Sequence, residues 1–158
     1  MLQNILGWTI ASCAQGVAPF VIKKLCIALV TFFIHFSQLW PSCLRHFLYS
    51  LDLGRATPIE ALDDALETNI IVNNLEISKL KVAIWFATSL VEEVGKTDMN
   101  SIKYVHVHER LVRNASDLAS LLARGFLPTD DTYQIQGESL VCFQVIQRKT
   151  HSITKYLN

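Results

Sequence analysis

Apolar residues recur every three or four positions along most of the chain, the spacing that places side chains on one face of an α-helix. A strand-like alternation of apolar and polar residues is confined to residues 105–108. We therefore predict an all-α fold. The clearest series are Ile22, Leu25, Leu29, Phe32 and Phe36; Ile77, Leu80, Ile84, Ala87, Val91 and Val94; Val107, Leu111, Ala115, Leu118 and Leu122; and Leu140, Phe143, Ile146, Thr150 and Ile153.

Glycine and proline separate these series. Proline suits the first helical turn, where its missing N–H has no partner, and glycine suits the residue just past a helix end. The glycines that follow apolar series are Gly16, Gly54, Gly95 and Gly125, and the prolines that precede or open the next are Pro19, Pro41, Pro58 and Pro128. The predicted helices are 2–14, 18–39, 42–51, 58–67, 75–95, 100–123 and 138–153.

Two local signals refine these boundaries. Thr57, with Glu60 three residues later, has the spacing of a capping box and predicts the start of the helix 58–67. The polar stretch 114–117 is expected to divide the helix 100–123 in two. In the third series, Glu109 and Arg113 have the i,i+4 spacing of an ion pair.

Short connections between successive helices favour antiparallel neighbours. The pairs 18–39 with 42–51 and 75–95 with 100–123 are predicted to form successive hairpins of a HEAT/armadillo-like α-solenoid. Residues 1–158 form a single stretch of about two hairpins with a half hairpin at each end, joined by an acidic connector at 55–74. Because a complete array has polar caps and none is evident, we expect a fragment of a longer solenoid.

Composition supports a folded helical chain of 158 residues. Hydrophobic residues make up 51% and the mean hydropathy is +0.29, which indicates helices buried on more than one side. The 14 basic and 14 acidic residues balance, so no overall charge favours direct binding of nucleic acid. The four cysteines show no CxxC spacing and are expected to be reduced, buried thiols.

A membrane anchor is the alternative suggested by the most apolar segment. Residues 25–36 are nearly all apolar, but they number about a dozen, whereas a bilayer span needs ~20. Lys23 and Lys24 precede this run, so a buried helix is the favoured interpretation. A small membrane protein anchored by residues 18–39 remains the less favoured one.

Candidate catalytic and metal-binding patterns are weak. Gly95-Lys96-Thr97 resembles the end of a phosphate-binding loop, but position 90 is leucine where such a loop has glycine. His106 and His108 are two residues apart, so on a helix they point to different sides and are a poor metal pair. We therefore expect no enzyme activity, no cofactor and no metal.

One resemblance goes further. The run Val21-Ile22-Lys23-Lys24-Leu25-Cys26-Ile27-Ala28-Leu29, followed by Trp40-Pro41, resembles a repeat segment of importin-β-family nuclear transport receptors. Within that family, the segment is most similar to the transportin-SR and importin-thirteen group and its fungal members. Residues 90–94 and 104–111 also resemble the fungal members. The match covers about residues 5–122, whereas such receptors are several times longer.

This resemblance implies transport of protein cargo through nuclear pores under control of the GTPase Ran, by a receptor that shuttles between nucleus and cytoplasm. Its partners would be cargo, Ran and nuclear pore proteins, without a membrane or direct nucleic-acid contact. The second helix of each hairpin would line the concave face. Exposed polar residues there are the candidate partner contacts, unless they are solvated or paired within the solenoid: Arg45, His46, Glu109 and Arg113. A helical-repeat adaptor that does not depend on Ran is the nearest alternative.

Overall fold

The computed structural model describes residues 1–127 and 133–157, and side chains within 1–127 and 135–151. In that part of the chain the regular structure is entirely helical, which confirms the predicted all-α class. Pro128 and the side chain of Ile153 lie outside the described residues. The helices are α1 (Leu2–Ala14), α2 (Pro19–Phe36), α3 (Cys43–Leu53), α4 (Thr68–Asn74), α5 (Ile77–Val94), α6 (Val105–Arg113), α7 (Ala115–Phe126) and α8 (Tyr133–Leu157), with one 3₁₀ turn at Ile59–Ala61.

Most predicted helices are present with small shifts at their ends. Helices α1, α2, α3 and α5 match 2–14, 18–39, 42–51 and 75–95, and α8 contains the predicted 138–153. The predicted helix 100–123 begins later, at Val105, and is divided at Asn114 as the polar stretch 114–117 indicated. The division therefore separates α6 from α7.

The predicted helix 58–67 is wrong, because residues 58–67 form only the 3₁₀ turn and then extended and turn structure; the helix within the acidic connector is α4, which was not predicted. Thr57 does not cap it; its hydroxyl is buried and lies 2.7 Å from Ser50 Oγ. Asp63 Oδ1 accepts a hydrogen bond from the Ala65 N–H at 2.9 Å. Such side-chain bonds to the nearby backbone compete with helix formation.

Helix α5 lies at the centre of the structure. It is apolar on nearly all sides, as expected for a helix surrounded by others. It has its most extensive contacts with α2 and α8, and α1 packs on α2 and, less extensively, on α5 and α3. We group α1, α2, α5 and α8 as the first row.

The helices α3, α4 and α7 contact one another and form a second row, in which α3 and α7 contact α5. Phe47 of α3 stacks on Phe86 of α5 with ring centroids 4.3 Å apart, and Trp40 lies 6.0 Å from the same ring. The predicted hairpin partner of α2 was α3, but α2 has its most extensive contact with α5. The link through Trp40 and Pro41 carries the chain from the first row into the second.

Two of the four glycines expected after helix ends have the left-handed conformation that favours glycine. These are Gly16 (φ 63°) and Gly54 (φ 70°). Gly95 follows α5 but is right-handed, with φ −65°. Gly125 lies inside α7 rather than beyond it. A Cβ at this position would collide with Ser139 of α8, so the absence of a side chain lets the two helices pack closely.

Helix α2 is long and apolar enough to cross a membrane by length and composition, with a mean hydropathy of 1.8 over 18 residues. Of that window 28% is buried. The buried residues face α1 and α5, whereas Lys23, Lys24 and His35 are exposed. Packing against α1 and α5 therefore explains the apolar character of the buried side of α2 only.

Candidate protein-interaction surface

Arg45 of α3 is occupied within the chain. Its Nη2 lies 3.2 Å from Asp64 Oδ1, and its Nη1 donates to the Asp64 main-chain oxygen at 3.4 Å. Asp64 belongs to the acidic connector and its side chain is 97% exposed. Arg45 thus ties α3 to the connector, which is the intramolecular pairing left open as an alternative to a partner contact.

His46 is buried, so the expectation that this side chain is exposed is wrong. The Trp40 indole N–H donates to His46 Nδ1 at 2.9 Å, and His46 Nε2 lies 2.9 Å from the Thr57 carbonyl oxygen. Because the indole can only donate, Nδ1 must accept, and the ring proton must sit on Nε2. Burial lowers the pKa of His46, despite the two main-chain oxygens nearby, so the neutral form is favoured.

Glu109 and Arg113 are both exposed on α6, as predicted. Glu109 Oε2 lies 3.3 Å from His106 Nδ1, and among the described contacts no Glu109–Arg113 ion pair forms. The charge of Arg113 is therefore presented to solvent. Of the four predicted residues, this pair alone lies together on an exposed helix face.

Apolar side chains share that face. Ile102 is 91% exposed and Val112 is 71% exposed, and Val105 is also exposed. Val105 and Val112 are seven residues apart on α6, which keeps them on the same side as Glu109 and Arg113, and Ile102 lies in the turn just before the helix. We call this face the α6 surface; it comprises Ile102, Val105, His106, Glu109, Val112 and Arg113.

Polar bonds hold α6 against the rest of the molecule. In α6, which lies wholly within the described part of the chain, Val107 alone is buried. Arg110 Nη1 donates to Ser37 Oγ at 2.9 Å. Thr97 Oγ1 donates to the Val94 carbonyl, so it accepts from His108 Nε2 at 2.8 Å. Half-burial lowers the pKa of His108.

Asn114 makes the most complete of these links. Its Oδ1 accepts from the Leu44 N–H (3.2 Å) and from Cys43 Sγ (3.7 Å). Its Nδ2 donates to the carbonyls of Pro41 (2.9 Å) and Arg110 (2.8 Å). Leu44 lies in the first turn of α3, where backbone N–H groups have no helical partner. Asn114 therefore caps α3 from a position 70 residues away, a role that its sequence position did not indicate.

A cleft of about 330 Å³ separates the end of α2 from α6. We call it the α2–α6 cleft. Sequence reasoning missed it, because its two walls are about 65 residues apart in the chain and no motif marks either one. The side chains that matter for its chemistry are His35, Phe36, Leu39, Lys103, His106 and Arg110.

The side chains and backbone groups of the weak chemical motifs have contacts within the chain. The backbone N–H groups of Gly95, Lys96 and Thr97 donate to carbonyls at the end of α5, so they are not directed at a phosphate. His106 faces Glu109, whereas His108 bonds Thr97 on another side. Within the described residues no group of three potential metal ligands is found.

The four cysteines are free thiols, three of them buried and Cys13 half-buried. Burial raises the pKa of Cys26 to about 12, and it also raises the pKa of Cys142. These thiols therefore stay protonated near neutral pH and pack as small apolar groups.

No protein-family model matches this chain, and neither a curated protein nor a solved structure matches it. The resemblance of residues 21–29 and Trp40-Pro41 to importin-β-family segments therefore stands on those residues alone. Two parts of the described surface combine exposed apolar and charged side chains: the α6 surface and the α2–α6 cleft beside it.

Proposed function

We propose that this chain is part of a helical-repeat scaffold whose function is to bind other proteins. The supporting observation is the arrangement of helices in two rows, α1–α2–α5–α8 and α3–α4–α7, with α5 in contact with both. Repeat scaffolds stack helices in this layered way to bury a continuous core. The α6 surface, on the helix between α5 and α7 in the chain, would then provide the partner-facing side.

Both ends of the first row carry large exposed apolar residues. Trp8 of α1 is 61% exposed, and on α8 Leu140 and Phe143 are 49% and 41% exposed. Apolar patches of this kind mark surfaces that another element covers. We infer that further repeats pack on α1 and α8 in a longer protein.

Within this class, we propose a nuclear transport receptor of the importin-β family that carries protein cargo through nuclear pores under control of Ran. The support is the sequence resemblance. Its residues Ile22, Cys26, Leu29 and Trp40 are buried, so the motif belongs to the hydrophobic core and does not itself mark a Ran or cargo site. The proposed partner contacts are Glu109 and Arg113 on the α6 surface.

Nucleotide-dependent capture tests this proposal. The native gene product is passed over beads that carry Ran loaded with GTP or with GDP, and an antibody against residues 57–74 reports retention and chain length. Retention by the GTP form alone is expected. Equal retention by both forms, or by neither, would contradict control by Ran and favour a Ran-independent adaptor.

Variants locate the contact. Glu109→Ala with Arg113→Ala is expected to weaken capture, because both charges would be removed from the α6 surface. The matched control is Lys24→Ala with Glu92→Ala, which removes one exposed charge of each sign from α2 and α5. An equal loss in the control pair would show that the effect is not specific to α6.

A membrane protein anchored by residues 18–39 is the second candidate, favoured by the length and apolar composition of α2. Extraction of native membranes with alkaline carbonate separates the two. Release into the soluble fraction is expected of the scaffold, whereas retention in the pellet would support the anchor.

A further inference from the structure

The α2–α6 cleft is lined by both apolar and basic side chains. Its α2 wall carries Phe36 and Leu39, which are 43% and 64% exposed. Its α6 wall carries Lys103, His106 and Arg110. At about 330 Å³ the cleft is at the small end of the range for ligand sites in proteins, enough for a few side chains.

The charge in the cleft is of one sign. Lys103 and Arg110 are cations, and His35 and His106 add two imidazole rings. None of the described lining residues is acidic. The whole chain has a formal net charge of zero, so this is a local concentration of positive charge. Walls of low dielectric strengthen such a field toward an anionic group.

Among the described residues Lys103 and Arg110 have no acidic partner, and Lys103 Nζ lies 5.2 Å from the centroid of the Tyr104 ring. Arg110 donates one N–H to the uncharged Ser37 hydroxyl, which orients the guanidinium without cancelling its charge. The closest acid on α6 is Glu109, and its carboxylate lies against His106.

Backbone groups contribute little to this site. The N–H groups of Val105, Val107 and His108 in the first turn of α6 already donate to main-chain oxygens. At the end of α2, the Phe36 carbonyl accepts from the Leu39 N–H at 2.9 Å. Recognition would therefore depend on the cationic and apolar side chains.

The geometry points to a binding site for a short acidic peptide segment of a protein partner, with an apolar side chain on Phe36 and Leu39 and carboxylates on Lys103 and Arg110. A free inorganic anion would use only the cationic wall. An apolar segment would use only the other wall. The mixed lining favours a chain that presents both, and recognition here does not require Ran.

Fluorescence anisotropy with the purified full chain tests this directly. The probe is a fluorescein-labelled decapeptide of glutamates with one phenylalanine and one leucine at its centre, and the matched peptide has glutamine in place of glutamate. We expect saturable binding of the glutamate peptide that weakens as salt rises. Millimolar inorganic phosphate is expected to displace it no better than chloride at equal ionic strength.

Substitutions assign the two walls. Arg110→Gln is expected to weaken binding about tenfold and Lys103→Gln about threefold, since one partner of a charge-assisted contact is lost. Leu39→Ala, at an exposed position, should weaken binding without changing its salt dependence. The matched controls Lys24→Gln and Arg55→Gln remove exposed cations outside both the cleft and the α6 surface and should leave affinity unchanged.

Several results would overturn the inference: no saturable binding, equal affinity for the glutamine peptide, or equal loss in the cleft and control variants. Displacement by phosphate alone would assign the site to a simple anion instead. Because the probe contains no Ran, failure here is distinguishable from failure of nucleotide-dependent capture.

Discussion

Helices α5 and α6 are neighbours in sequence but are held in the fold by opposite means. Nearly every side of α5 is buried among apolar neighbours, whereas α6 buries only Val107 within the described contacts. Polar links through Arg110, His108 and Asn114 position α6 instead. Hydrophobic burial is strong and non-directional, while hydrogen bonds set orientation and leave the outer face free. The proposed scaffold helix α5 therefore relies on apolar burial, and the proposed contact helix α6 relies on hydrogen bonds that leave its outer face exposed.

The largest expected effect on stability comes from truncating a buried side chain of α5. Phe86→Ala removes a fully buried ring that stacks on Phe47, and it should lower the free energy of unfolding by about 4 kcal/mol. Val107→Ala, which truncates the one side chain of α6 that the structure describes as buried, should cost about 2 kcal/mol or less because fewer atoms are lost. Urea denaturation followed by circular dichroism measures both. Equal losses would contradict the contrast.

A second prediction concerns the hydrogen bonds that Asn114 makes between α6 and α3. Asn114→Ala would leave the Leu44 N–H and two carbonyls without their partner, at a cost of about 2 kcal/mol. The exposed Asn100→Ala is the control and should change stability little. If both variants unfold at the same urea concentration as the parent, Asn114 does not hold the start of α3.

The pH dependence of stability follows from His46. Its folded-state pKa is lowered by burial, so the unfolded chain binds the proton more readily. The stabilising contribution is complete above the ordinary histidine pKa of about 6.5, and it is lost as pH falls through the lowered folded-state pKa. The lowered pKa of His108 acts in the same direction.

Thermal melts between pH 7.5 and pH 5 measure this effect in the parent and in His46→Gln. We expect the parent to melt at lower temperature as the solution is acidified and the variant to show a flatter dependence. His35→Gln, at an exposed position, is the control. An unchanged slope in His46→Gln would show that protonation of His46 is not linked to unfolding.

The smallest expected effect is at the Arg45–Asp64 pair. Because Asp64 is almost fully exposed, water and salt screen the interaction, and a double-mutant cycle of Arg45→Ala and Asp64→Ala should give a coupling of about 0.5 kcal/mol or less. A coupling of several times that value would make the pair a structural anchor of the acidic connector.

The sequence predicted best what depends on hydrophobic periodicity. Helices α1, α2, α3 and α5 follow from it. The rotation of α2 was less well predicted: Ile22 and Leu29 are buried as expected, but Cys26 and Phe33 are buried in place of Leu25 and Phe32. A helix that is apolar on nearly every side carries little information about which face packs.

The roles of residues that form hydrogen bonds with distant parts of the chain could not be predicted from the sequence. His46 is adjacent to Arg45 and has the same helical context, yet Trp40 and Thr57 make it a core residue. Thr57 has capping-box spacing but bonds to α3 instead. Asn114 was visible only as a helix breaker. Each outcome required knowing which segments meet in space.

Hydrogen–deuterium exchange of the native-length protein with and without Ran·GTP tests the central claim, that α5 belongs to a fixed scaffold and α6 presents a partner-binding surface. We predict slower exchange in residues 99–113 when Ran·GTP is bound, with no change in Ile77–Val94 and no effect of Ran·GDP. No change in any helix would contradict the proposed function, and protection confined to other helices would contradict the proposed surface.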